Sequence, residues 1–258
     1  MSNAVIAAIL VLSLLSLPAS AQAVPSGPPD VADLQSGDLL WPKKKGAYIP
    51  YRAVAVGKER DERKVWEAER DLYVASLKAR PTLSDAERNR IRVIERMSFN
   101  AFRGVFADGQ QPGKYVPYSA GAGVGHVAIV RIHDEVTVVE AMWGIGVREI
   151  PYAVWAAERK NHLVWHARLS EPEVERRHRI ADEAARHIGA PYHFWNFDLT
   201  DDRGFYCSKL AWLATLRATG IALDGNADPD RLLWLSPKQL LKSEHIRVLQ
   251  SPGDYGTE

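Results

Sequence analysis

Strand-like alternation of residues dominates the middle of the chain and limits what the chain can fold into. His126 to Ile132 and Val136 to Ala141 are rich in β-branched residues and flank His133-Asp134-Glu135, which predicts an antiparallel hairpin. Gly146 to Tyr152 and His162 to Leu169 have a similar strand-like pattern of residues and are predicted to continue as strands. We therefore expect a mainly antiparallel sheet.

Helices and two further strands complete this layout. Helical periodicity and capping residues predict helices from Ser170 to about Ile188 and from near Tyr206 to Thr219, each followed by a glycine. Short strands are expected at Gly37 to Trp41, closed by a proline, and at His245 to Leu249. The predicted fold class is α+β, a domain in which helices pack against a mainly antiparallel sheet.

A segment of different composition, from about Lys58 to Phe106, is predicted to be a helical insertion in that domain. It is densely charged, nearly lacks glycine and has apolar residues at helical spacing. Arg80-Pro81 interrupts it, and Ser84 with Glu87 three residues later forms a capping-box pattern. We expect an αα-hairpin of two amphipathic helices. The sequence leaves open whether the hairpin pads the fold or covers the functional site.

The first residues have the features of a secretory signal. Residues 4–17 form an apolar run without a charge, too short to span a bilayer comfortably, and Ala21-Gln22-Ala23 supplies a small-x-small cleavage pattern. We predict a cleaved signal peptide at 1–23, a linker at 24–30, the domain at 31–250 and a C-terminal tail at 251–258. The protein would then be exported, periplasmic or secreted, with an uncleaved membrane anchor as the less favoured alternative.

The charge of the chain indicates no polyanionic partner. The formal net charge is +1 over 258 residues, and no basic stripe or recognised motif accompanies it, so nucleic acid is not an expected partner. No set of His, Cys and carboxylate residues has the spacing of metal ligands, so we predict neither a metal nor another cofactor. A small-molecule, peptide or acyl substrate is expected instead, and association with the cell wall or the membrane surface is left open.

The single cysteine, Cys207, is the first candidate for chemistry. An exported protein with one cysteine cannot form an internal disulfide, although a buried structural cysteine is the commoner use of such a residue. Cys207 lies near the predicted start of a helix, where backbone N–H groups and the positive end of the helix dipole favour a thiolate. The same N–H groups can stabilise a developing oxyanion. Cys207 is therefore a candidate nucleophile.

A thiol nucleophile needs a base and a group that orients the base. His126 is the best candidate among eight histidines because it opens a strand directly after a run of small residues. Glu140 is a lone carboxylate in an apolar strand. If the hairpin loop is 133–135, Ala128 lies opposite Glu140. His126 and Glu140 are then diagonal neighbours on one face, with their Cα atoms roughly 7–8 Å apart. A two-residue loop would separate the pair, and a bridge from Glu140 to Arg148 is the structural alternative.

These residues resemble the permuted branch of the NlpC-type papain-like cysteine hydrolases, often called YiiX/YebB-like. In unpermuted relatives the cysteine segment precedes the histidine, whereas here it follows. The resemblance extends over most of the predicted mature chain, from about Ser36 to Leu213. The matching stretches are Gly37-Asp38-Leu39-Leu40, Gly125-His126-Val127-Ala128-Ile129-Val130, Val138-Val139-Glu140-Ala141, Gly189-Ala190-Pro191-Tyr192 and Tyr206-Cys207-Ser208-Lys209-Leu210.

The resemblance implies a circularly permuted papain-like core and a triad. Cys207 would be the nucleophile, His126 the base and Glu140 the third member. Tyr192 matches the tyrosine that lines the site in the family, and it is predicted to contact substrate together with Tyr206, which adjoins the thiol.

Sequence and resemblance together predict an exported cysteine hydrolase that cleaves an amide, of the peptidase or amidase type, with a cell-wall peptide as the leading substrate. An acyltransferase or lipid ester hydrolase with the same site is one alternative. A non-catalytic protein that binds amino acids, peptides or wall material is another. Two departures from the family pattern concern the surroundings of the site: His193 stands where an acidic residue is usual, and the insertion is longer than expected.

Overall fold

The computed structural model of the protein describes residues 26–45, 58–99, 101–102, 125–170, 174–225, 227 and 235–255. Three predicted features lie outside these residues: the signal peptide at 1–23, the last residues of the insertion, and the small residues that precede position 125. The predicted start of the helix after Ser170, at 171–173, is also outside them. The predicted domain boundaries therefore stay predictions.

The strands of the described residues form one antiparallel sheet with the order β4-β3-β2-β1-β5-β6. Their bounds are β1 (Leu39–Lys44), β2 (Ala128–Ile132), β3 (Val136–Met142), β4 (Gly146–Pro151), β5 (His162–Leu169) and β6 (Ile246–Gln250). Helices pack on this sheet, so the predicted α+β class is confirmed.

The register of the β2–β3 hairpin is the predicted one. Ile132 pairs with Val136 and Ile129 pairs with Val139, so the loop consists of the three residues 133–135. The next position along each strand places Ala128 opposite Glu140. β2 begins at Ala128, so His126 precedes the strand rather than opening it.

Strand β1 runs further than predicted, because it continues through Pro42 instead of ending before it. β2 pairs only with Leu39 and Leu40 of β1, so among the described residues the far half of β1 has no strand on that side. On the other side β5 pairs with the whole of β1, out to Lys44. A proline is tolerated where its missing N–H has no partner strand to bond.

The main helices of the described residues are α1 (Lys58–Lys78), α2 (Asp85–Arg96), α3 (Tyr152–Glu158), α4 (Val174–Ala185), α5 (Cys207–Thr219) and α6 (Pro237–Leu241). Four of them match predicted helices, whereas α3 and α6 were not expected. α6 begins at a capping box of Ser236 and Gln239, with a proline at the start of the helix. That signal was available in the sequence. α3 has no side-chain cap to mark its start after β4.

The two faces of the sheet bury two separate apolar clusters. One face packs against α4, α5 and the insertion, through a large cluster that includes Leu39, Ile180 and Leu210. The opposite face packs against α3, through a smaller cluster that includes Leu40 and Trp155. Since successive residues of a strand point to opposite faces, both sides of the central strands are covered. This explains why β1 and β2 open with continuous apolar residues instead of alternating ones.

The helical insertion shares this core. The predicted capping box is confirmed: the Ser84 hydroxyl accepts from the N–H of Glu87 at 3.2 Å, and the Glu87 carboxylate accepts from the N–H of Ser84 at 2.6 Å. The fully buried ring of Trp66 in α1 lies 5.3 Å from the Phe102 ring and 6.0 Å from the Phe197 ring, measured between centroids. The hairpin therefore packs into the domain. Within the described residues, no helix is both long and apolar enough to cross a bilayer.

Candidate active site

Cys207 is the first residue of α5, and its side chain is almost buried. The preceding residue, Tyr206, is the N-cap, and its side chain forms no capping hydrogen bond to the helix. The leading N–H groups of a helix have no partner inside the helix, so those beside the thiol are not occupied by a cap and can donate to a negatively charged oxygen. The sulfur thus lies beside the positive end of the helix dipole, as predicted from the sequence.

Buried polar side chains fix the first turn of α5. The Ser208 hydroxyl donates to the carbonyl of Leu235 at 2.5 Å. The ammonium of Lys209 donates to the carbonyl of Gly204 at 3.1 Å and lies 5.0 Å from the centre of the Phe205 ring. Burial lowers the pKa of Lys209 to about 8. These contacts hold the helix end against Leu235 on one side and against the loop that precedes Cys207 on the other, so the sulfur has a defined position.

His126 and Glu140 are in direct contact. Nε2 of the imidazole lies 2.7 Å from a carboxylate oxygen of Glu140. His126 also lines one cavity with Cys207. Because Nε2 is used by the carboxylate, Nδ1 is the nitrogen left for the thiol.

Tyr255 holds the backbone of His126 from the far end of the chain. Its hydroxyl accepts from the N–H of His126 at 3.0 Å and donates to the carbonyl of His126 at 3.2 Å. Gly125 is required beside this contact: its φ is +80°, and a Cβ there would lie 2.2 Å from the Tyr255 hydroxyl. Tyr255 lies within the predicted C-terminal tail, yet it is buried and supports the candidate base.

Glu140 has no exposed surface and binds two arginines as well as His126. The guanidinium of Arg148 donates to one carboxylate oxygen at 2.6 Å, and that of Arg159 donates to the other at 2.9 Å. The indole N–H of Trp155 donates to the same group at 3.1 Å. Both pairings considered from the sequence, with His126 and with Arg148, therefore occur together. Arg159 and Trp155 were missed, because α3, which contains Trp155 and ends next to Arg159, was not predicted.

These contacts shift the pKa values of the imidazole and the carboxylate in opposite directions. Burial opposes the charged form of His126, but hydrogen bonds to Cys207 and Glu140 outweigh burial and raise its pKa to about 9. Burial would raise the pKa of Glu140, but His126, Arg159 and Arg148 outweigh it and lower that pKa to about 2. At neutral pH the pair is an imidazolium and a carboxylate.

The two predicted substrate-contacting tyrosines occupy different positions. Tyr192 lines the cavity beside Cys207, and its ring lies 5.6 Å from that of Trp143, measured between centroids. Tyr206 is 1% exposed, and its hydroxyl accepts from the N–H of Leu235 at 3.1 Å. Tyr206 therefore supports the wall beneath the thiol and offers no surface to a substrate.

Two neighbours hold Tyr192 beside the thiol. Its segment forms a parallel bridge with Phe205, whose N–H donates to the carbonyl of Pro191 at 3.0 Å. On the other side, the N–H of Val147 in β4 donates to the carbonyl of Ala190 at 2.8 Å. The segment is thereby fixed between β4 and the residues that lead into α5.

A cavity of about 380 Å³ opens beside Cys207. Its walls combine strand ends, the β3–β4 turn and α5, and it falls within the range of small-molecule sites. Its lining consists of Pro42, Lys44, Gly125, His126, Ala141, Met142, Trp143, Arg159, His162, Tyr192 and Cys207. In the described part of the chain, no group of three or more His, Cys, Asp or Glu residues is placed to hold a metal ion.

His193 pairs with the insertion rather than with the cavity. Its imidazole lies 2.7 Å from the carboxylate of Glu69 in α1. The departure from the family pattern at this position thus coincides with a contact to the insertion, a pairing that no local sequence pattern indicates.

Comparison with known families and proteins finds the following similarities. Residues 116–246 match the family model described as permuted papain-like amidase enzyme, YaeF/YiiX, C92 family. The uncharacterised protein YycO of Bacillus subtilis (strain 168) is 30% identical over 138 residues, which is 52% of each protein, so the chain spans about half the length of this curated relative. The crystal structure of the metalloprotein YiiX from Escherichia coli O157:H7 is similar with a TM-score of 0.45 and 14% identity, over 84% of this chain and 97% of that one.

Proposed function

Because the chain belongs to the permuted papain-like amidase family of YaeF and YiiX, we propose that it is a cysteine hydrolase that cleaves an amide through Cys207, His126 and Glu140. The resemblance noted in the sequence is thereby confirmed at the level of the family. The NlpC-type subtype stays a prediction. The proposal for the triad is supported chiefly by one observation, an imidazole bound on one nitrogen by a buried carboxylate and adjacent to the only thiol.

The mechanism follows from the position of each group. The thiolate of Cys207 attacks the carbonyl carbon of the amide, and the backbone N–H of Cys207 donates to the resulting oxyanion. The imidazolium of His126 then gives its proton to the leaving nitrogen, and an acyl thioester remains on the enzyme. Water attacks the thioester while His126 takes a proton from it, and the thiolate is released. Glu140 keeps the imidazole oriented throughout and stabilises its protonated form before acylation and after deacylation.

Substitution of the nucleophile and the base tests this proposal. We expect Cys207→Ala and His126→Ala to abolish hydrolysis of any amide substrate found by screening cell-wall peptides and acyl amides. His133→Ala is the matched control, since His133 lies in the exposed hairpin turn and pairs with Asp182. Hydrolysis by the Cys207→Ala variant at the wild-type rate would contradict the proposal. Binding of the same ligands without turnover in the wild type would favour a non-catalytic protein instead.

We extend the proposal to location and substrate. The apolar run at 4–17 and the pattern at 21–23 support export to the periplasm or the medium, where peptide amides of the cell wall are the available substrates. N-terminal sequencing of the protein recovered outside the cytoplasm should then give Val24 as the first residue. A protein outside the cytoplasm that starts at Met1 contradicts cleavage and favours the uncleaved anchor, whereas a protein that stays in the cytoplasm contradicts export. Both outcomes leave the triad proposal standing.

A further inference from the structure

The described ionisable residues that line the cavity beside Cys207 include basic side chains but no acidic ones. Its described lining contains the basic residues Lys44, His126, Arg159 and His162, but neither Asp nor Glu. The carboxylate of Glu140 is close, but it is fully buried and does not reach the cavity. Because the whole chain has a net charge of only +1, this excess of positive charge belongs to the cavity and not to the protein in general.

Of the Lys and Arg side chains in this wall, Lys44 is the one available to a ligand among the described residues. Arg159 is already bonded to Glu140 and Glu158. Lys44 is exposed, and in the described part of the chain it forms no ion pair. It lies directly opposite His162 in the β1–β5 register, so the two side chains project from the same face into the cavity wall.

The titration of His162 agrees with a positive potential at this wall. Burial lowers its pKa, and the charges of Arg159, Lys44 and His126 lower it further. By contrast, a second cavity at the insertion has a lining of mixed charge, with Glu69, Asp198 and Asp201 beside His193 and Arg203. Positive potential is therefore a local property of the cavity that contains the thiol.

We propose that this wall binds an anionic group of the substrate, a carboxylate or a phosphate, and that Lys44 selects for that group. The inference rests on the proposed function, because it takes the scissile amide to lie at Cys207. An anion bound at Lys44 would lie beside the reacting carbonyl, within the same cavity of about 380 Å³. The protein would then prefer amides that have a negative charge near the scissile bond over their neutral counterparts.

Two alkylating reagents that differ in one charge test this preference without a known substrate. Iodoacetate and iodoacetamide both place a carbon on the Cys207 sulfur with loss of iodide, but only iodoacetate is an anion. We expect the ratio of the iodoacetate rate to the iodoacetamide rate to fall roughly threefold or more in Lys44→Gln, since one charge near the site is removed. Lys45→Gln, a change in the next residue, which does not line the cavity, is the matched control.

The outcomes separate this inference from the proposed function. If Cys207 reacts with both reagents no faster than a free thiol, the proposed function fails. If Cys207 is reactive but Lys44→Gln leaves the ratio unchanged, the anion site fails and the hydrolase stands. Protection of Cys207 from iodoacetamide by N-acetylglycine indicates a carboxylate, and protection by glycerol 3-phosphate indicates a phosphate. Equal protection by neutral N-acetylglycinamide overturns the inference.

Discussion

Glu140 is a carboxylate with no exposed surface, so its burial needs compensation. Moving an ion out of water costs several kcal/mol unless partners surround it, and here two guanidinium groups, an indole N–H and an imidazole do so. The carboxylate therefore stays ionised, with its pKa lowered to about 2. An ionised carboxylate can both orient the imidazole and stabilise its protonated form.

Removal of the charge on Glu140 tests both roles. We expect Glu140→Gln to lower the free energy of unfolding by about 3 kcal/mol, because Arg148 and Arg159 lose the partner that balances them. Turnover should fall at least roughly tenfold even at temperatures where the variant is folded, because the imidazole loses its orienting acceptor. Urea unfolding and steady-state kinetics measure the two effects.

Glu149→Gln provides the control for that change. Glu149 lies on neighbouring β4 and binds Arg131 at 3.1 Å, away from the cavity. The Glu149→Gln substitution should lower the free energy of unfolding by about 1 kcal/mol or less and leave turnover unchanged. A Glu140→Gln variant with wild-type turnover would remove Glu140 from the mechanism.

The raised pKa of His126 predicts how activity and stability depend on pH. The pKa is about 9 in the folded protein against 6.5 for an ordinary histidine, so the stability from the protonated ring is fully present below pH 6.5. It is lost as pH rises from 6.5 through 9. Turnover should fall over the upper part of this window, because the imidazole no longer has the proton that the leaving group needs.

Unfolding titrations of the wild type and His126→Gln check this window. The stability of His126→Gln should vary less between pH 6.5 and 9 than that of the wild type. If the wild type is as stable at pH 9 as at pH 6.5, the imidazolium is not stabilised as described. A turnover profile that is flat to pH 10 would contradict its role as the acid.

At the scale of elements, the start of α5 and the segment around Tyr192 form a single fixed unit. Lys209 and Ser208 bind carbonyls on either side of the helix end, and Phe205 bridges to Tyr192. The motif around the cysteine is thus structural in most of its residues, which leaves Cys207 as the one that faces the cavity. Tyr206 belongs to the structural part, which explains why it is not placed to contact substrate.

The strands and the triad hairpin could be predicted because their signals are local. Alternation of residues and a three-residue loop determine the register of β2 and β3, and the register decides that His126 and Glu140 share a face. The contacts of Arg159 and Tyr255 could not be predicted in the same way. Each depends on how a distant or unpredicted segment packs against the hairpin, and hydropathy patterns contain no information about that.

Tyr255 is expected to act as a positioning residue for His126. Tyr255→Phe removes two hydrogen bonds to the His126 backbone, which should cost about 1 kcal/mol of stability. We also expect a severalfold slower alkylation of Cys207 by iodoacetamide near pH 7, because a loosely held imidazole stabilises the thiolate less well. The rate should be measured as a function of pH, since a purely structural loss would leave the profile unshifted.

Tyr152→Phe is the matched control for Tyr255→Phe. Tyr152 is another buried tyrosine, and its hydroxyl donates to the carbonyl of Pro29 on the opposite face of the sheet. The Tyr152→Phe variant should lose about as much stability as Tyr255→Phe, with no change in how the alkylation rate depends on pH. If both variants change the profile equally, the effect of Tyr255 is not specific to the base.

At the scale of the whole molecule, the insertion and the sheet form one hydrophobic core. Tyr73, Ile91 and Phe102 from the insertion are buried in the same cluster as Leu210 of α5. The ion pair between Glu69 and His193 joins the insertion to the segment that follows Tyr192. The question left open by the sequence is thus answered in part: the described residues of the insertion pack against the domain, and none of them lines the cavity beside the thiol.

Truncation of Trp66 measures how much this shared core contributes to the free energy of unfolding. Trp66→Ala removes a fully buried ring that packs against Phe99, Phe102 and Phe197, so we expect a loss of about 3–5 kcal/mol in the free energy of unfolding. Urea denaturation followed by circular dichroism gives the value. Leu72→Ala in the same helix is the control, because Leu72 is 66% exposed and should cost under about 0.5 kcal/mol. Equal losses in the two variants would show that the insertion is not part of the core.

The carboxylate cluster also has a bearing on the order in which the chain folds. Glu140 and its partners Arg148, Trp155 and Arg159 are close neighbours in sequence, whereas Cys207 is far along the chain. Short loops close at a small entropic cost, so contacts between such neighbours form early. We therefore expect the nascent chain to pair this carboxylate with its arginines before the helix that contains the nucleophile docks. The reactive sulfur then arrives at a hairpin that is already assembled.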